Sequence, residues 1–253
     1  MRNNQRRLSF LTWTEIQNYL ERSKTIIIPI GSTEQHGPTG AIGTDALTAD
    51  AIANRVAQET NTIVTPVLSY GMAQHHLAFP GTMSLRPSTF QMMLHDLIFS
   101  LVSNGFEKIF VVNGHGGNIA STKAAFSEVY RTVDENKQIQ HKGFKCKLYS
   151  WFLLPEVRKL AFDLYGQEEG QHATPSEIAI TLTIDESLIA KNIPLPAPAP
   201  SGPIYDKNDF KSRYPDGRMG SVPYLAKKEH GKLLLELSAR ILTKALIAFN
   251  NEK

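Results

Sequence analysis

The sequence predicts an α/β fold, a mostly parallel sheet with helices on both faces, and three observations carry that reading. The runs Ile26-Ile27-Ile28 and Phe110-Val111-Val112 are β-branched or aromatic without polar alternation, the mark of strands buried on both sides. Stretches with helical periodicity lie between such runs, and repeated strand-helix units build parallel sheets. Gly-rich turns close the runs where strand-to-helix loops belong. At 253 residues the chain is long enough for one large domain, and a single domain over 1–253 is expected.

The elements follow in order. Thr12 with Glu15 has the spacing of a capping box, opening a short helix through Leu20, and Thr25 to Ile30 reads as the first strand. Asp45 to Glu59 reads as a helix with Leu47, Ala51, Ile52 and Val56 on one side, and Thr62 to Leu68 as a strand. Pro87 suits a first helical position, and Phe90, Leu94, Leu97 and Leu101 give the apolar face of a helix ending near Gly105. Lys108 to Val112 is a second buried strand, Asn118 to Val133 a helix, and Lys145 to Ser150 another strand. Five prolines between Ile193 and Pro203 favour an extended surface loop or linker over a lid. A last helix runs from Lys232 to Phe249, with Leu234, Leu237, Ile241, Ala245 and Ala248 as its apolar stripe.

Composition excludes several classes. A hydrophobic fraction of 42% and a charged fraction of 20% fit an ordinary globular chain. The net charge of +3 is too small and too scattered for a nucleic-acid partner. Arg2, Arg6 and Arg7 cluster at the start, yet no apolar segment of signal-peptide or membrane-spanning character follows. The cytoplasm is therefore the expected compartment, with no membrane partner. The single cysteine, Cys146, has apolar neighbours and is expected to be a buried thiol without a catalytic role.

Two loops concentrate the chemistry. Gly31-Ser32-Thr33-Glu34-Gln35-His36-Gly37 follows the first strand, with Asp45 shortly after it. Residues two apart at a strand end project from one face, so Glu34 and His36 can converge, and a carboxylate beside an imidazole suits a divalent transition metal. The second loop, Asn113-Gly114-His115-Gly116-Gly117-Asn118, follows the second buried strand, and its glycines let another group approach the His115 ring. In open α/β sheets such loops meet in one crevice at the carboxyl ends of the strands. Asp45 taken alone could be a helix N-cap, but four metal-competent side chains at two strand ends exceed what capping and solvation need.

Other motifs fail. The glycines of the second loop imitate a dinucleotide fingerprint, but Ile119 occupies the third position, where Gly or Ala is required. No Lys-Ser or Lys-Thr pair makes a P-loop, and Ser32 lies in no G-x-S-x-G elbow.

Five segments together resemble the creatininase, or creatinine amidohydrolase, family: residues 30–37, Gly43-Thr44-Asp45, His76-Leu77-Ala78-Phe79-Pro80-Gly81-Thr82, residues 113–118, and His172-Ala173 with Glu177. A looser match covers Gly220 to Gly231. The resemblance implies a three-layer α/β/α sandwich, a dinuclear site for two divalent ions per subunit (Zn2+ or Mn2+, with Fe2+ an alternative), and a homo-oligomer, a hexamer built from dimers. It makes Glu34, His36, Asp45 and His115 metal ligands, with Asp45 the bridge, and His172 the proton-transfer histidine. Glu177 would be a fifth ligand with a catalytic part. His76, Gly116, Gly117 and Trp151 are the candidate substrate contacts. His75 and His76 have a structural alternative as ordinary hydrogen-bonded rings, and Trp151 has one in the core.

The implied activity is hydrolysis of a C–N bond in a small non-peptide or cyclic amide by a hydroxide held between the two ions. Creatinine itself is not the expected substrate. Gly117 stands where creatininase has a metal-binding carboxylate, Glu168 where it has a substrate-facing Trp, and Ser176 where it has an aromatic residue. Alternatives are a formamido-pyrimidine nucleotide deformylase, a peptide-trimming hydrolase, and a non-catalytic metal- or ligand-binding member of the fold.

Overall fold

Strands β1 (Thr25–Ile30) and β3 (Lys108–Asn113) pair in parallel, from Thr25 opposite Lys108 to Ile30 opposite Asn113, and form the middle of the sheet. β2 (Ile63–Val64) flanks β1 and β4 (Lys145–Ser150) flanks β3, both parallel, giving the order β2-β1-β3-β4. This computed structural model describes residues 6–136, 139, 143–191 and 193–252, so Arg2 lies outside the described residues.

Eight helices are described: α1 (Trp13–Leu20), α2 (Thr44–Thr60), α3 (Pro87–Ser103), α4 (Asn118–Glu135), α5 (Pro155–Tyr165), α6 (Pro175–Ile184), α7 (Lys207–Arg213) and α8 (Lys228–Asn250). The capping box at Thr12 and Glu15 is formed. Alternation along the central strands builds two cores. Ile27, Phe110 and Val112 face α2, α5, α6 and α8, while Ile26, Ile28, Ile30, Ile109 and Val111 face α1, α3 and α4. The result is the expected three-layer α/β/α sandwich. No helix among the described residues is long and apolar enough to cross a membrane.

Departures from the sequence reading have local causes. The strand expected over Thr62 to Leu68 shrinks to Ile63–Val64, with Leu68 returning as an isolated bridge to Ile30. Pro66 has no N–H to offer β1. Pro29 has none to return on the same side, where its carbonyl takes the Leu68 N–H at 3.0 Å. On α3 the buried line is Phe90, Leu94, Ile98 and Val102, and Leu97 is exposed. The α8 stripe is also rolled by about one position: Leu234, Ser238, Leu242, Leu246 and Phe249 are buried and Ala248 is exposed. A Cβ at Gly231 would lie 1.8 Å from the Ala179 carbonyl oxygen, so this small residue lets α8 pack close on α6. Cys146, on an edge strand, is partly buried, and burial pushes its thiol up to about 12. The proline segment is extended and mostly exposed, pinned to the chain by Gly220 N–H on the Ala199 carbonyl (2.8 Å) and Arg218 Nη2 on the Pro196 carbonyl (2.7 Å).

Candidate metal centre

The loops after β1 and β3 meet the first turn of α2, as the crevice rule expects. α2 begins at Thr44 with Gly43 as its N-cap, so Asp45 is a helical residue whose side chain caps nothing. That carboxylate is buried and is available to other partners. Gly114 makes the approach feasible, because a Cβ there would lie 2.2 Å from the Asp45 carbonyl oxygen.

Glu34, His36, Asp45 and His115 converge, all buried. His115 Nδ1 is 3.1 Å from Glu34 Oε2 and 3.0 Å from Asp45 Oδ2; His36 Nε2 is 3.1 Å from Asp45 Oδ1. The outer nitrogen of each ring faces a backbone carbonyl, which can only accept: His36 Nδ1 donates to Glu34 (3.2 Å) and His115 Nε2 to Met72 (2.9 Å). Both rings therefore turn their other nitrogen toward carboxylates. Glu34 Oε2, His36 Nε2 and Asp45 Oδ2 are buried without a hydrogen-bond partner, so lone pairs oppose lone pairs unless a cation lies among them.

Glu177 arrives from α6. It closes a capping box in which its Oε2 accepts from Thr174 N–H (3.0 Å) and Thr174 Oγ1 (2.9 Å), while its other oxygen makes no hydrogen bond among the described residues. Ala173 carries the turn from His172 into this helix at φ 56°, a left-handed conformation that costs a non-glycine residue about 1 kcal/mol or more. Two groups then have ligand atoms within 4.8 Å of one another and share Asp45: Glu34, Asp45 and His115, and His36, Asp45 and Glu177. Hard oxygens with borderline nitrogens suit Zn2+ or Mn2+, and three carboxylates in one buried place call for cationic charge. The donor set fits the pair of divalent ions.

The electrostatics agree. Burial alone would raise Glu34, but His115 and His76 beside it hold its carboxyl well below the ordinary value. Burial alone would lower His36, yet Asp45, with Glu177 and Glu34, lifts it to about 10; His115 is lifted well above its usual value against burial by Glu34 and Asp45. The rings register a strongly negative potential where cations would sit. Burial and the neighbouring His76 and His36 push His172 well below its ordinary value, and burial with His76 takes His75 down to about 4.

The remaining candidates surround this centre. His172 Nδ1 is 3.8 Å and His76 Nε2 3.3 Å from Glu34 Oε1, with the two rings stacked at 4.3 Å. Gly116 and Gly117 line the same cavity of about 300 Å3 with Gly114, His115 and Ile204. A Cβ at Gly117 would lie 2.2 Å from the Met72 carbonyl oxygen and 2.5 Å from His115 Nε2, so no carboxylate fits there, and the acid near the centre comes from α6. Trp151 is fully buried among core residues, its indole N–H unpartnered, and reaches only a second cavity of about 950 Å3. Phe152, Gln171 and Glu177 line both cavities. Ser176 is buried and donates to Glu169, and Glu168 is exposed.

The sequence reading passed over Gln35 and Arg218. Gln35 lies between Glu34 and His36 and is buried, a signal the polar run did hold. Arg218, 1% exposed and paired with Asp216 at 2.7 Å, had no sequence signal because its partners gather only through folding.

A family model described as creatinine amidohydrolase matches residues 9–246. The 3-dehydro-scyllo-inosose hydrolase of Thermotoga maritima is 36% identical over 107 residues, 42% of this chain and 34% of that protein. The mycofactocin precursor peptide peptidase of Mycolicibacterium smegmatis is 36% identical over 106 residues, 40% of this chain and 42% of that protein. The match therefore spans well under half the length of either relative. A solved structure described as creatininase Mn is 25% identical with a TM-score of 0.85, covering 98% of this chain and 99% of that one.

Proposed function

The chain belongs to the creatininase family, and from that premise we propose that it is a metal-dependent amidohydrolase acting on the C–N bond of a small non-peptide or cyclic amide. The observation that supports this best is the pair of ligand groups sharing Asp45, with His172 at their edge.

Glu34, Asp45 and His115 would hold one divalent ion and His36, Asp45 and Glu177 the other. When bound, the ions supply Lewis acidity to a water and to the amide carbonyl. The protein's own groups do the rest. The Met72 carbonyl accepts the His115 Nε2 hydrogen and so keeps the Nδ1 lone pair facing Glu34 and Asp45, and Glu177 is fixed by its cap to Thr174. His172, with Nδ1 toward the site, takes the proton released by the attacking water and returns it to the departing nitrogen as the C–N bond breaks. A well-placed acid of this kind is worth about a hundredfold or more. Ile204, Met219 and Phe152 give the cavity an apolar wall that limits water.

The cavity of about 950 Å3 that shares Phe152, Gln171 and Glu177 with the centre favours one further reading, a longer substrate such as a peptide. A panel of small cyclic amides, formamides and short peptides, assayed with wild type and His172→Ala, separates the readings. Turnover of small amides that collapses in the variant supports the proposal. Turnover of peptides alone favours the longer substrate, and two bound ions with no turnover favour a binding protein. A homohexamer belongs to the same proposal, and light scattering tests it.

A further inference from the structure

The Gln35 side chain is buried and meets more partners than it has hydrogens. Its Oε1 accepts the Gly37 N–H at 2.8 Å, and its Nε2 lies 3.0 Å from the Gly217 carbonyl oxygen, which together fix the amide's orientation. Nε2 is also 2.9 Å from His76 Nδ1 and 2.9 Å from His172 Nε2. An amide nitrogen carries two hydrogens, so one of these three neighbours receives none.

A fourth contact identifies which. His172 Nε2 lies 2.8 Å from the backbone carbonyl of Gln35, which can only accept, so His172 carries a hydrogen on Nε2 and cannot accept one there. The amide hydrogens therefore go to Gly217 and to His76 Nδ1. An accepting Nδ1 leaves the His76 hydrogen on Nε2, 3.3 Å from Glu34 Oε1.

We propose that Gln35 is a positioning residue that fixes the ring hydrogen of His76 on Nε2, making that ring a donor to Glu34, while its backbone carbonyl fixes the hydrogen of His172 on Nε2 and leaves Nδ1 toward the site. The arrangement has a consequence for metal binding. By distance alone Glu34, His76 and His172 form a third ligand group, with atoms within 4.8 Å of one another. A hydrogen on His76 Nε2 closes that group, since a ligating nitrogen needs its lone pair. Cations are thus confined to the two groups that share Asp45, and His172 is kept for proton transfer. Only that last role rests on the amidohydrolase reading; the hydrogen positions do not.

The test is long-range 15N–1H correlation spectroscopy on the zinc-loaded full chain with 15N-labelled histidine, signals being assigned from single-histidine variants. The expected wild-type result is a hydrogen on Nε2 in both His76 and His172. In Gln35→Leu the His76 pattern should shift toward a mixture, while His172, held by a backbone carbonyl, keeps its own. Turnover should fall about ten- to hundredfold, mostly in kcat. A wild-type hydrogen on His76 Nδ1, or a His76 pattern unchanged in Gln35→Leu, overturns the proposal. Should the variant fail to fold, the wild-type spectrum alone decides. Correct hydrogen positions in a protein that hydrolyses no amide would count against the amidohydrolase reading and leave this assignment standing.

Discussion

Asp45 belongs to both ligand groups, so changing it tests the centre as a unit. Each bound cation stabilises the native state by about 2.7 kcal/mol when free metal is a hundredfold above Kd. Two cations give about 5 kcal/mol, and for a chain of this size that is roughly 10–20 °C in Tm. Asp45→Asn should abolish the whole of this shift, because neither group survives without the shared oxygen donors. His36→Ala should abolish about half, since His36 serves only one group. Stripped of metal, Asp45→Asn should be less stable than wild type by an amount that chelator leaves unchanged. The charge removed lies 3.1 Å from His36 Nε2 and 3.0 Å from His115 Nδ1 and raises both rings, and relieved repulsion with Glu34 and Glu177 offsets part of that loss. Elemental analysis and thermal melts with and without chelator read both quantities. Two ions per subunit in Asp45→Asn, or a chelator-sensitive melt in that variant, would refute the shared-ligand argument.

Other expectations follow from single contacts. Gly117→Ala must displace the Met72 carbonyl or the His115 ring, so a stability loss of about 1–3 kcal/mol in urea titration should accompany weaker metal retention. His172→Gln should retain metal while kcat drops about a hundredfold or more, and undiminished kcat would remove His172 from the chemistry. Burial, reinforced by Glu177 against the Ser176 hydrogen bond, lifts the Glu169 carboxyl to about 7 from the 4.5 of an unburied glutamate. The folded state then holds that proton more tightly than the unfolded chain, so stability falls as pH rises from about 4.5 to about 7, by up to about 3 kcal/mol. Glu169→Gln should flatten that decline, measured as urea midpoints at about pH 5 and about pH 8. Cys146, lifted to about 12 by burial, should alkylate far more slowly than a free thiol at about pH 8.

Much of the fold was readable residue by residue. β1 and β4 have the expected bounds, α1 opens at its capping box, and α2 and α4 differ from expectation by one or two residues, because such signals are local: the β-branched run of β1, the Thr12–Glu15 spacing, the glycines before α2 and α4. α6 is missing from the sequence reading, although Thr174 and Glu177 hold a capping-box spacing around Pro175. Ile178, Ala179, Ile180, Thr181 and Leu182 are all buried, so a helix enclosed on every side shows no amphipathic period. On α3 and α8 the period was visible but the roll was not, since Leu97 and Ile98 both satisfy it and only the packing partner chooses between them.

At the centre, the sequence by itself determined the donor chemistry: a carboxylate and an imidazole two residues apart after β1, an acid at the start of α2, and a histidine among glycines after β3. Spacing within one segment constrains direction, and parallel strands bring successive loops to one edge. The tertiary structure alone decided which atoms face inward, that no side chain fits at Gly117, and that the hydrogens of His76 and His172 are set by Gln35. Those outcomes depend on groups far apart in the chain, such as Gln35 with His172, whose approach is fixed by packing and not by any local propensity.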